Sequence, residues 1–405
     1  MSQPPSGDPP RAGSAGAVPP RAGSAGAVPL RAESAGPVPP LDRPMGRQMI
    51  ASYRNVPGRH CGSTAMRNLI QHYCGLELSE AEVFGLGSGI GFALLEADRY
   101  DPGVMLFGRS ATMEVDVADA LGLRYTEQTE ADDRRAWQLV RDEVLAGRPT
   151  MLSGDALYLD YRDFKVHFPA HRFVLVGFDD DVRTAFVADR IDVEPQPCAY
   201  DALAASRNPK DFISTCNLWG RFHDGTVGRS LRDAFAIAVG RAATRMLERS
   251  DLAIAGDEAT GIAGAVCVTT GIAGLDRLAE FLPEYLARPS GHAFARYAGA
   301  CIETFGTGGG NFRLMYAEFL ETACVRGYGA VAPADVETVR ASARAWTALA
   351  NQLRAFAGGE SPASDAASHE GETMVAIVRE IRELEARVFE RLAGRALSPA
   401  ASERS

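Results

Sequence analysis

The chain has almost no lysine, no paired-cysteine motif, no long apolar run and no excess of positive charge. Each lack closes off a class of protein. Lys165 and Lys210 are its only lysines, so arginine carries nearly all the positive charge; this fits a GC-rich coding bias and has no mechanistic content. The seven cysteines (Cys61, Cys74, Cys198, Cys216, Cys267, Cys301 and Cys324) are odd in number and widely scattered, with no CxxC. That pattern suits a reducing compartment and argues against a disulfide framework. No apolar stretch approaches the length of a membrane-spanning helix, and the N-terminus lacks the apolar core of a signal peptide. The expected location is the cytoplasm, with no membrane partner. The net charge of −10 argues against nucleic acid.

What is present is ordinary globular composition, 46% hydrophobic and 23% charged over 405 residues, enough for two domains. Residues 1–42 carry a ten-residue Pro/Gly/Ala-rich repeat (Pro-Pro-Arg11-Ala-Gly-Ser-Ala-Gly-Ala-Val, then the same around Arg21) and read as a disordered tail. An α+β domain is expected over 43–225. From there helices follow one another, at 230–248, 271–287, 291–304, 311–325, 335–356 and 373–394, giving a helical domain over 226–396 before a short disordered tail, 397–405. Residues 358–371 read as a mobile loop. The stripe Val375, Val378, Ile381, Leu384 and Val388 suits packing or a homodimer contact.

Cys61 is the most informative residue. It lies in Arg59-His60-Cys61-Gly62-Ser63-Thr64, where an irregular stretch runs into an amphipathic helix marked by Ala65, Met66, Leu69, Ile70 and Tyr73. A helix N-terminus favours thiolate over thiol. A thiolate nucleophile needs a base, and the base needs an orienting group. Residues 171–189 read as a β-hairpin with Asp179-Asp180-Asp181 at its turn. A turn centred on residue 180 places His171 directly opposite Asp189, with Cβ atoms about 5 Å apart. His167 competes as the base, but His171 is preferred for its cross-strand acid. Asn55, six residues before Cys61, is the candidate side-chain oxyanion donor beside the Cys61 N–H.

The remaining candidates are less specific. His60 points away from its neighbour's chemistry and is expected to line the site or tune its field. Zinc is not expected: His60 and His72 would lie about 18 Å apart on a helix. The glycine-dense stretch Gly85–Phe92 opens no Walker loop and is weighed as a wall of the site through Ser88, Gly89 and Phe92, against a plain turn cluster. A second cluster, Gly306-Thr-Gly308-Gly309-Gly310-Asn-Phe-Arg313, offers free N–H groups and a guanidinium for an anion such as a phosphopantetheine phosphate or a carboxylate, against a tight interhelical turn.

Cys61-Gly at a helix start, His171-x-Phe-Val-Leu-Val-Gly-x-Asp and Val-x-Asp189 together resemble papain-like cysteine enzymes, closest to the bacteriocin-processing peptidases. In those a glutamine stands where this chain has Asn55. A narrower likeness is to the butirosin biosynthesis protein H family, through His60-Cys61-Gly-Ser-Thr-Ala, Leu78-Ser-Glu-Ala-Glu-Val-Phe-Gly-Leu-Gly-Ser-Gly-Ile-Gly-Phe92 and Gly306-Thr-Gly-Gly-Gly-Asn-Phe-Arg313-Leu-Met-Tyr. It spans roughly 45–395. The resemblance implies a papain-like domain with an antiparallel sheet followed by a helical domain. It further implies transfer of an acyl group from an acyl carrier protein thioester to an amine, with Cys61, His171 and Asp189 as the triad. No bound cofactor is expected; the substrate would ride on the carrier's phosphopantetheine. A peptidase or amidase using water, and a silent binding or scaffolding protein, stay open as alternatives.

Overall fold

The computed structural model describes residues 44–96, 103–248, 251–254, 266–328, 331–359 and 364–396. The two expected disordered tails, 1–42 and 397–405, lie outside these residues. Strand β1 (Gln48–Met49) is followed by α1 (Cys61–Cys74), whose periodic residues Ala65, Met66, Leu69 and Ile70 are buried. Gly75 ends it in the left-handed conformation at φ 63°, its N–H donating to the Gln71 carbonyl. Burial of Met66, Leu69 and Ile70, contributing about 1.5–3 kcal/mol each, fixes the helix and therefore the position of Cys61 at its start.

Helix α2 (Glu80–Leu86) opens with a capping box: Ser79 accepts from the Glu82 N–H and the Glu82 carboxylate accepts from the Ser79 N–H. The stretch Gly85–Phe92 is not one loop. Gly85 lies inside α2, and β2 (Ile90–Glu96) begins after three intervening residues and pairs antiparallel with β3 (Val104–Arg109). Crowding explains the glycine: a Cβ on Gly85 would stand 1.9 Å from the Phe319 ring.

Next come α3 (Met113–Leu121), β4 (Tyr125–Gln128), α4 (Asp133–Leu145, capped by Asp132) and β5 (Thr150–Gly154). The hairpin β6 (His171–Asp179) and β7 (Thr184–Ala188) precedes β8 (Gln196–Ala199), α5 (Tyr200–Arg207) and β9 (Trp219–Phe222). The main sheet runs β4-β9-β5-β6-β7-β8, with β1 also on β6, all antiparallel.

The hairpin register differs from the expected one. Val174 faces Ala188 and Leu175 faces Val187, then a bulge shifts the pairing to Gly177 with Phe186. Continued by one residue, this register puts Asp189 across from Phe173, two positions from His171. The displacement is even, so both side chains stay on one face as diagonal neighbours, where an odd slip would have separated them.

Beyond residue 225 the helices are α6 (Leu231–Leu247), α7 (Gly271–Ala287), α8 (Gly291–Glu303), α9 (Arg313–Val325), α10 (Pro333–Gly358) and α11 (Ser364–Ala396). Two departures from the expected all-helical pattern stand out. β10 (Asp251–Ile254) and β11 (Val266–Thr270) pair with each other, and β11 pairs with β2, giving a second sheet β10-β11-β2-β3. Helix α11 begins at Ser364, inside the stretch expected to be a loop. Its Val375, Val378, Ile381 and Val388 are buried within the chain, where α11 packs on α6, α7 and α10.

The two faces of β6 serve different cores. Val174 and Val176 join Met66, Leu69 and the helices up to Leu392, whereas Phe173 and Leu175 pack with Trp137, Leu203 and Trp219. The strand thus lies between the two cores, with His171 at its start.

Candidate active site

Three elements bring their ends together. Cys61 is the first residue of α1, His171 the first of β6 and Asp189 the residue after β7. They are 6%, 2% and 2% exposed. His171 Nε2 is 2.9 Å from Asp189 Oδ2, which leaves Nδ1 as the nitrogen for the thiol; the Cys61 and His171 side chains are close enough for each to shift the other's ionisation. Phe164, Phe168 and Phe173 surround the imidazole, with ring centroids 5.9–6.3 Å away.

The electrostatics follow from this packing. Burial raises the Cys61 thiol, but the imidazoles of His60 and His171 outweigh it and hold the thiol well below its usual value. Burial lowers His171, but Asp189 and Cys61 outweigh that and raise it to about 10. Asp189 is pushed up by burial and pulled further down by His171, Arg162 and the Arg190 N–H, ending below the usual carboxylate range. The arrangement favours a thiolate–imidazolium pair.

Asp189 has more partners than the sequence pattern suggested. Its Oδ2 also accepts from the Tyr161 hydroxyl at 3.1 Å and Arg162 Nε at 2.9 Å, and Arg162 Nη2 reaches Asp192 at 2.8 Å. Asn55 does not offer a free oxyanion donor. Its Nδ2 donates to the carbonyls of Asp189 (2.7 Å) and Asp192 (2.6 Å), and its Oδ1 accepts from Asn68 at 2.7 Å. The amide clamps the acid's loop to α1. His167 has an acid of its own, Asp155, at 2.7 Å and stacks on Phe212. Possession of an acid therefore does not separate the two histidines; proximity to Cys61 does.

Glu80 holds the loop before Cys61. Its carboxylate accepts from the N–H groups of Arg59 and His60 and from the hydroxyls of Ser63 and Thr64, at 2.7–3.0 Å. Burial opposes its charge, but these donors keep it below the usual carboxylate range. Its sequence signal, an acid in the first turn of the next helix, points to helix capping and gives no hint of this second task.

The other candidates divide. Ser88 is fully buried and donates to the Ala238 carbonyl at 3.1 Å, a Cβ on Gly89 would meet the Phe84 carbonyl at 2.6 Å, and Phe92 packs against Trp346. All three serve the core. Arg313 is 1% exposed, and its guanidinium is engaged by Glu385 at 2.7 and 2.8 Å and by the carbonyls of Gly108 and Asn311. It is a buried strut and not an anion site. The loop before it does reach the site region. Gly308, Gly309, Gly310, Asn311 and Phe312 all have positive φ, which explains the glycines and why α9 starts at Arg313. Gly308 lies against the Arg59 side chain, Gly306 against the Arg59 carbonyl, and Phe312 meets the His60 ring edge-on at 5.2 Å. Phe305 packs on Phe168 at 5.5 Å. Among the described residues no group of three or more His, Cys, Asp or Glu side chains is arranged to hold a metal ion, and no helix is long and apolar enough to cross a membrane.

An α+β domain with a cysteine at a helix start, followed by a helical region, is the frame in which the comparisons with known proteins fall. Residues 60–190 match the family described as Butirosin biosynthesis protein H, N-terminal, and residues 201–392 match Domain of unknown function (DUF4872). The chain belongs to the butirosin biosynthesis protein H family, which ties it to a biosynthetic role. No curated protein matches it.

Proposed function

We propose that the protein is an acyltransferase that takes an acyl or aminoacyl group from the phosphopantetheine thioester of an acyl carrier protein, holds it on Cys61 and delivers it to an amine of a natural-product intermediate. The observation that carries this reading is the meeting of Cys61, His171 and Asp189 in one buried site. The Cys61 thiolate attacks the thioester carbonyl carbon and forms a new C–S bond. The carbonyl π electrons move to oxygen and return as the carrier thiolate leaves with a proton from His171. The acceptor amine then attacks the acyl-Cys61 carbonyl, His171 takes the amine proton, and the Cys61 sulfur departs. Asp189 holds His171 in the orientation this exchange needs.

Cover over the site favours transfer above hydrolysis. Cys61 is 6% exposed, Phe164 and Phe168 stand beside His171, and Phe305 packs on Phe168; limiting water at the thioester protects an acyl intermediate. Intact-mass analysis after incubation with acyl-carrier thioesters tests the reading. The unaltered protein should gain the acyl mass and Cys61→Ala should not. Absence of any gain, or a gain that persists in Cys61→Ala, would overturn it. Release of the acyl group to water at the same rate with and without amines would assign a hydrolase instead.

A further inference from the structure

His167 and Asp155 form a second imidazole–carboxylate pair that the triad does not use. His167 Nδ1 is 2.7 Å from Asp155 Oδ2. The Asp155 side chain is fully buried, and its Oδ1 accepts the N–H groups of Leu157 at 3.1 Å and Phe168 at 2.9 Å. Among the described residues no arginine or lysine pairs with this carboxylate, and His167 is its one side-chain partner. The imidazole stacks on Phe212, with centroids 4.0 Å and planes 11° apart, and Tyr158 flanks it at 6.0 Å. Its position and plane are set much as those of a triad base are. A carboxylate only accepts, so Nδ1 carries the proton and the neutral ring has its lone pair on Nε2. Exposure separates the two histidines. The His171 side chain is 3% exposed and the His167 side chain 30%, and His167 Nε2 meets no hydrogen-bond partner among the described residues. The pair nevertheless adjoins the site. Phe168, the residue after His167, packs on the His171 ring at 6.2 Å, and Gly154, the residue before Asp155, faces His171 across β5 and β6.

We infer that His167 and Asp155 are an acid–base pair for the acceptor, in which His167 Nε2 takes a proton from an incoming alkylammonium before the amine attacks acyl-Cys61. The inference rests on the reading of the protein as an acyltransferase. An alkylamine as basic as lysine, with a value of about 10.4, is free in only about one molecule in 2,500 at neutral pH. The ammonium has no lone pair and cannot attack. Two protons must therefore leave the nitrogen, one before attack and one after it. His171 has room for one, because its Nε2 is committed to Asp189 and only Nδ1 is left. In the first step an N–H bond of the ammonium breaks, its electron pair stays on nitrogen, and the proton goes to His167 Nε2. Asp155 steadies the imidazolium, which returns the proton to water from its open side. The freed lone pair then forms the C–N bond, His171 takes the second proton and the Cys61 sulfur leaves. The charged and titratable groups about His167 are Asp155 at the end of β5, Tyr158 with its hydroxyl on Asp211, and Asp163 paired with Lys165 on its own segment. Acids outnumber the single base, which suits a cationic acceptor.

Two acceptors and two substitutions test it. Cys61 is first loaded from an acyl-carrier thioester, followed by intact mass, and the acyl-enzyme is then mixed with an alkylamine or with hydroxylamine, whose nitrogen is already unprotonated at neutral pH. His167→Gln keeps a donor for Asp155 but takes no proton. Asp155→Asn keeps an oxygen for the Leu157 and Phe168 N–H groups but removes the charge. With the alkylamine, His167→Gln should slow transfer about 10²-fold, and Asp155→Asn should slow it less. Both losses should shrink as pH rises toward about 10.4, where the amine frees itself. With hydroxylamine both variants should run close to the unaltered rate. Equal losses with the two acceptors would make the pair a structural brace, and no loss with either would leave it without a part in transfer; each result overturns the inference. The unaltered protein gives a reading that needs no variant to fold. Its rate with saturating alkylamine should hold up below the amine's own value, and a rate simply proportional to the free-amine fraction would contradict the inference. Failure of the unaltered protein to load Cys61 would sink the transferase reading, a result distinct from a loaded enzyme that ignores the substitutions.

Discussion

Cys61 and Cys74 are the two ends of one helix, and their surroundings drive them apart. At the N-terminus Cys61 is buried, yet two imidazoles and unpaired helix N–H groups draw the thiol toward ionisation. At the C-terminus burial and the charge of Asp224 push Cys74 up to about 11. Burial alone would raise both. The difference teaches that a reactive cysteine here is made by its partners and its helix end, because the desolvation that both share works against reactivity. Cys301, raised to about 12 by burial, and Cys198, also raised by burial, follow the Cys74 pattern.

Removing His171 should collapse the contrast most. In His171→Asn the Cys61 inflection should move back toward the ordinary thiol value of about 8.5, bringing its alkylation rate at neutral pH close to that of Cys74. Rates resolved residue by residue check this. Asp189→Asn should have the next largest effect. Losing the orienting acid should cost about 10²–10⁴-fold in acyl transfer and lower the His171 value. A pH signature accompanies it. His171 is raised to about 10 in the folded chain from about 6.5 when unfolded, so its pairing stabilises the fold fully below about 6.5 and less as pH climbs through 10. The melting-temperature gap between the unaltered protein and Asp189→Asn should therefore be widest in mild acid and narrow toward pH about 10.

These predictions rest on residues that the sequence exposed unevenly. Cys61, His171 and Asp189 were legible because helix periodicity and hairpin alternation are local signals. Even the wrong register preserved the pair, since a two-residue error keeps the face. The role of Asn55 was misplaced because its partners, the carbonyls of Asp189 and Asp192, are more than a hundred residues away and leave no local trace. The Gly85–Phe92 stretch looked like a loop because glycine signals both turning and close packing; here it marks the approach of Phe319 to α2. β10 and β11 were missed because β11, on which β10 pairs, docks on β2 from a distant part of the sequence.

Two further substitutions sharpen the contrast from the structural side. Asn55→Ala removes the clamp between the acid's loop and α1 and should cost about 1–3 kcal/mol of stability by leaving polar groups unmet. Its Cys61 labelling should slow modestly while Cys74 is unchanged, as urea melts and labelling in parallel would show. Arg313→Met should have the smallest effect on reactivity. It leaves the Glu385 carboxylate buried with only Ser342 and Trp346 as donors and should destabilise the chain by about 3–5 kcal/mol. The folded fraction should still label Cys61 at the unaltered rate. A selective loss at Cys61 would return Arg313 to the site.

The most direct measurement is the pH profile of iodoacetamide labelling at Cys61 and Cys74 in the same sample. Cys61 should react far faster at neutral pH, with an inflection well below that of an ordinary thiol, while Cys74 reacts only in alkali. Equal rates at neutral pH, with both inflections at or above the ordinary thiol value, would contradict a catalytic Cys61.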